Sequence, residues 1–341
     1  MTIDYEYLWE HFHLNKEKYL SDYNNLPNKF KLFWPDEFVF WPKTEDQLIE
    51  ISELGVDTTV LLNNIDSKYL LEKFKNIKFV DWPLHQLYRT GYYVNDRQGT
   101  YDNINLLFLA MNRRRTYHRS ALIDILHSSD IINYGKFSWH NADADTNYVY
   151  QWKYWKDPHT VILDDIDFGG IDHNMKQWFV PSEFYQSLIS VVSETCPWLP
   201  IITEKTFMCI WLEKPFLIAG HEDSYKILKN WGFKLHEDIF DYDYIRHSFS
   251  EKRENSIDQA IGIKENLERI KNSNYQDLRL AMEPVIKYNK QRMIELFNED
   301  AHVPDILKQH LRYVHSNQDK SQGFDITFLK MLQHLDFLKN T

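Results

Sequence analysis

The chain has 341 residues, 43% hydrophobic and 26% charged, with a formal charge of −11. That length exceeds one ordinary core and suits two domains, and the acidic balance argues against a partner held mainly through phosphate contacts, such as duplex DNA. Two cysteines, Cys196 and Cys209, form neither a disulfide framework nor a zinc-ligand set, which fits a reducing cytoplasm.

The N-terminus, MTIDYEYLWEHFHL, lacks a basic start and an apolar run, so no signal peptide is expected. No stretch approaches the roughly 18 uninterrupted apolar residues of a membrane span. His11 and His13 stand two apart, a spacing that does not share a helix face. Along the first hundred residues, short apolar runs alternate with helical stretches. EFVFWP (37–42) reads as a strand stopped by Pro42, and TEDQLIEISEL (44–54) as a helix capped by Thr44. TTVLLNN (58–64) reads as a strand, DSKYLLEKFKN (66–76) as a helix and IKFVDWP (77–83) as a strand. This alternation predicts a parallel sheet with crossover helices over 1–100.

The polar stretch NDRQGTYDN (95–103) reads as a linker. A second α/β domain, 101–275, then opens with the strand NLLFLAMN (105–112) and the helix TYHRSALIDILH (116–127). Further strands are predicted at TVILDD (160–165), SLISVVSE (187–194) and PFLIAG (215–220). TEKTFMCIWLE (203–213) reads as a helix capped by Thr203, and EDSYKILKNWG (222–232) as one stopped by Gly232. The chain is read as helical from about Ser256, and residues 276–341 as a helical segment packing on both lobes.

Two residue groups carry chemistry. Asn112-Arg113-Arg114-Arg115-Thr116-Tyr117-His118-Arg119 leaves a strand and opens a helix. Arginine forks and the amides of a helix start are suited to a diphosphate, although a solvated basic turn explains the run equally well. Thr203-Glu204-Lys205-Thr206 opens the later helix: its carboxylate suits a ribose diol and its ammonium a phosphate. A capping threonine with an acid in the first turn is the plainer account. Asp81 and His85 follow a strand in the first domain, where a base could take a proton from an acceptor hydroxyl; a helix cap and a surface histidine are commoner. Asp164-Asp165-Ile166-Asp167 contains a D-x-D of the kind that holds a divalent metal, and an acidic loop is the favoured explanation. The cysteines read as small buried apolar residues. No Gly-rich phosphate loop is present.

The order of the motifs is more specific than any one of them. NRRRTYHR, Glu194-Thr195, TEKT, PFLIAG, LKNWGF and YDYI, spread over about 105–250, resemble the donor-binding lobe of exostosin- and fucosyltransferase-like glycosyltransferases, including bacterial and phage-encoded members. The resemblance implies the GT-B architecture, two facing Rossmann-like domains, with a helical C-terminal extension. It implies a nucleotide-diphosphate sugar as donor substrate and no cofactor or metal. It places Asn112, Arg113, Arg115, His118, Arg119, Glu194, Thr203, Glu204, Lys205 and Thr206 around the donor; the first domain, which the resemblance does not cover, offers Asp81 or His85 as the base of an inverting transfer. The expected acceptor is a saccharide; a hydroxymethylated base in DNA is the alternative, and a non-catalytic nucleotide- or glycan-binding relative is a further one.

Overall fold

The structure, a computed structural model, describes residues 32–33, 49, 52, 58–62, 74, 77–81, 87, 90, 99–112, 116–139, 150–163, 171–172, 177–178, 180–195, 197, 200–246 and 254–298. The chain divides into two compact units, Met1–Tyr88 with Leu296–Thr341, and Arg89–Glu295. It is a mixed α/β protein. Among the described residues no helix is long and apolar enough to cross a membrane.

In the first unit, β1 (Leu32–Phe33), β2 (Thr58–Leu62) and β3 (Ile77–Asp81) form a parallel sheet in that order. Thr58 to Leu62 run in register with Ile77 to Asp81, so two expected strands are neighbours. Parallel neighbours need a crossover between them. Ile49 and Ser52 are helical. The expected strand at 37–42 and most of the expected helix at 66–76 lie outside the described residues.

The second unit is built on a four-stranded parallel sheet of order β5-β4-β8-β9. β4 (Leu106–Asn112) leads into α1 (Tyr117–Leu126) and then to β5 (Gly135–Trp139). A two-stranded ribbon follows, β6 (Ile171–Asp172) with β7 (Gln177–Trp178), and then the short helix α2 (Ser182–Gln186). β8 (Ser187–Ser193) leads into α3 (Glu204–Trp211) and β9 (Phe216–Ala219), after which come α4 (Ser224–Asn230), α5 (Glu254–Ile270) and α6 (Tyr275–Asn298). Strands buried on both faces read as unbroken apolar runs, and β8 is buried at every position.

β8 shows how the layers divide. Alternate strand residues face opposite sides. Ile189 and Val191 join a core completed by Leu122 and Leu126 of α1 and by Ile263 and Leu267 of α5. Ser190, on the other face, turns its hydroxyl as donor towards Cys209 of α3. The first strand and helix therefore move out to β5 on one side of β4, and the second pair moves out to β9 on the other side of β8. The strand order reverses between β4 and β8, which is the position in open parallel sheets where ligands bind beyond the carboxyl ends.

Two expectations differ from the structure. Residues 160–165 make no strand among their described positions: Val161 forms an isolated antiparallel bridge to Trp139, and Ile162 is exposed. Val161 exchanges both backbone hydrogen bonds with Trp139, and Leu163 is a further isolated bridge position and buried, with the exposed Ile162 between them. β5 itself was not expected. Its Gly135-Lys136-Phe137-Ser138-Trp139 is short and half polar, and Gly135 is required because a Cβ there would lie 2.4 Å from the Phe108 ring.

Candidate functional site

The carboxyl ends of β5, β4, β8 and β9 carry the candidate site. Glu194, immediately after β8, is fully buried and links two helix starts. Its backbone carbonyl accepts from His118 Nε2 at 2.9 Å, in the first turn of α1. Its carboxylate accepts from the Thr203 amide at 3.2 and 3.3 Å, from Thr206 Oγ1 at 2.6 Å, and from Thr203 Oγ1. The helix starts expected to converge, those of α1 and α3, are thus joined through one residue. Gly220 at the end of β9 makes room for this: a Cβ there would sit 3.2 Å from Glu194 Cβ and Cγ.

Glu194 has both oxygens engaged inside the protein, so it shapes the site and does not itself reach a ligand. Burial raises its pKa; Lys205 and the Thr203 and Thr206 hydroxyls pull the other way. Thr203 is the cap of α3, its hydroxyl accepting from the Lys205 amide at 3.4 Å. Glu204 and Lys205 emerge from the same turn, with 22% and 31% of their side chains exposed. Lys205 Nζ lies 2.5 Å from Glu204 Oε1 and 3.3 Å from Thr195 Oγ1. Of the predicted residues on this helix, these two present charge to solvent.

His118 is nearly completely buried. Burial and the adjacent Arg119 guanidinium lower its pKa to about 3, against the pull of the Glu194 carbonyl. It is therefore neutral, with Nε2–H donating to Glu194 and Nδ1 placed 3.2 Å from Thr116 Oγ1. It ties α1 to β8 and carries no charge to a ligand. Arg119 is also buried, its Nη2 3.5 Å from the Ser193 carbonyl.

Asn112 ends β4 at 1% exposure, its amide donating to Ser138 Oγ at 3.0 Å. Its side chain has no hydrogen-bond partner at either Nδ2 or Oδ1. Ser193 Oγ and Trp139 Nε1 share this condition, as does Ser256 Oγ in the first turn of α5. One turn further on, Gln259 Nε2 holds the Gly220 carbonyl at 2.9 Å.

Other predicted residues stand apart or lie outside what is described. Arg113 and Arg115, with Arg114 between them, lie outside the described residues; the two ends they join, Asn112 and Thr116, are the strand end and the cap of α1. Asp81 is the last residue of β3 in the first unit, opposite Leu62. His85, Cys196 and 164–167 lie outside the described residues. Cys209 is buried, and burial pushes its thiol up to about 12. Sequence reasoning missed Ser193 and Ser138; the trace of Ser193 was a polar residue closing the apolar run SLISVVS.

A parallel sheet whose order reverses above two joined helix starts has the layout at which open α/β sheets in general place their ligands. The chain matches no protein-family model, no curated protein and no solved structure.

Proposed function

We propose that the chain is a two-lobed, Rossmann-like glycosyltransferase that moves a sugar from a nucleotide-diphosphate sugar to a saccharide hydroxyl, with inversion and without a metal. The observation that carries this is Glu194, whose main chain holds the start of α1 and whose side chain holds the start of α3. It supports the motif resemblance because the start of α1, which follows the arginine run in sequence, and the start of α3, which carries Glu204 and Lys205, are then held to the end of one strand.

In this reading Glu204 takes the ribose hydroxyls, while Lys205, Arg113, Arg115 and Arg119 face the diphosphate. The bond between the sugar's anomeric carbon and the diphosphate oxygen breaks as the acceptor oxygen bonds to that carbon. The acceptor proton passes to a base, Asp81 or His85, and the leaving electron pair stays on the diphosphate. Fixed cations aimed at that developing charge are the means of acceleration.

Lys205→Ala and Glu204→Ala test this. Both side chains are partly exposed, so each substitution should cost less than about 0.5 kcal/mol of stability, while donor hydrolysis or transfer falls by at least about a hundredfold. Full activity in both variants sinks the proposal. A thermal shift with UDP-, GDP-, ADP- or CDP-sugars but no turnover on any acceptor points instead to a binding module.

A further inference from the structure

Three neighbouring strand ends place buried polar side chains in one row. Asn112 is opposite Trp139 across β4 and β5. The β4–β8 register, which sets Phe108 beside Ile189 and Leu109 beside Ser190, brings Asn112 beside Ser193 when carried to the strand ends. Ser193 shares its side of β8 with Ile189 and Val191, the side closed by α1 and α5. Asn112, Ser193 and Trp139 are each at most 1% exposed, and Asn112 Nδ2 and Oδ1, Ser193 Oγ and Trp139 Nε1 all lack a partner. Buried polar groups are paired in the great majority of cases. Four such atoms on three adjacent strand ends, beside the point where the strand order reverses, are hydrogen-bonding capacity that the fold itself does not use.

The chemistry of the row limits what it receives. None of its groups is charged. Nδ2, Nε1 and Oγ can donate, but Asn112 Oδ1 only accepts and would face a phosphate oxygen as like against like. A hydroxyl both donates and accepts. We propose that Asn112 and Ser193 bind a sugar-ring hydroxyl of the nucleotide-sugar, next to its diphosphate; this rests on the donor-binding reading above. The hydroxyl belongs to the ribose or to the transferred hexose, and Ser193 becomes a specificity-determining residue of the site.

Ser193→Ala is the informative variant because it removes a hydroxyl with no internal partner, so folding stability should be unchanged or slightly higher. Asn112→Ser is the second variant. Calorimetric titration of UDP, GDP, ADP and CDP and their hexose conjugates identifies the nucleotide that wild type binds; its 2′- and 3′-deoxy forms follow. Ser193→Ala is expected to weaken binding about tenfold. Loss confined to the hexose conjugate assigns the hydroxyl to the transferred sugar; loss shared with the free nucleotide but absent for a deoxy form assigns it to the ribose. Unchanged affinity in both variants overturns the proposal, as does a loss on the free nucleotide that persists with both of its deoxy forms, which marks a contact to the base or the phosphates. If wild type binds none of these nucleotides, the donor-binding reading itself fails.

Discussion

At the scale of single residues, His118 carries the clearest pH signature. Its pKa is near 3 in the fold, against about 6.5 in an unfolded chain. The unfolded state therefore takes up a proton that the folded state refuses. Stability from this residue is complete above about pH 6.5 and declines as the pH falls towards 3, by up to about 1.4 kcal/mol per unit. His236, held near 4 by burial, adds to the same slope. His118→Gln keeps a donor for the Glu194 carbonyl but cannot titrate. Chemical denaturation at pH 7 and pH 4.5 should show a smaller loss between the two pH values in the variant than in wild type. An identical loss would mean that His118 takes up its proton as readily in the fold as in the unfolded chain.

At the scale of elements, α3 depends on a residue outside it. Helix starts leave amide donors unpaired, and Glu194 supplies both oxygens to this one, meeting Thr203 and Thr206. Glu194→Ala strips acceptors from three buried groups at once, and about 3 kcal/mol of stability should go with it. Glu194→Gln retains one oxygen acceptor and should lose less than half as much. Urea midpoints measure both, and equal losses would show that the net charge matters more than the hydrogen bonds. The helix was legible because Thr203 announces its cap and Thr206-Phe207-Ile210 recur at helical spacing. The clamp was not, since Glu194 is nine residues from Thr203 and nothing local marks it. β4 and β9 were legible as apolar runs, and β8 as one interrupted only by Ser190. β5 was hidden by Lys136 and Ser138, whereas the apolar TVIL at 160–163 suggested a strand where the described positions make only isolated bridges. The edge of β9 shows the same dependence on distant residues. Tyr225 and Tyr244 bring their hydroxyls to the Ile218 amide at 2.6 and 3.1 Å, and Tyr244 donates to the Ile218 carbonyl at 2.9 Å. Two side chains thus stand where a further strand would pair.

At the scale of the whole molecule, the division into two units lets the two halves of the proposed reaction, donor binding and transfer, be tested apart. Asn112, His118, Arg119, Ser193, Glu194, Glu204 and Lys205 all belong to the unit Arg89–Glu295, while Asp81 belongs to the other. That second unit has its own core, which runs from Ile104 to Ile286 and closes α1 and α5 onto β4 and β8. A fragment spanning 89–298, which keeps α6 whole, should therefore fold cooperatively and bind the nucleotide-sugar within about threefold of the full chain. At a hundred times the dissociation constant, that ligand should stabilise either protein by about 2.7 kcal/mol. The fragment should nevertheless fail to transfer sugar, because the proposed base is no longer present. Titration and turnover assays on the two proteins separate these expectations. A fragment that folds but transfers at the full-length rate would place the base among residues 89–298 and remove Asp81 and His85 from the mechanism.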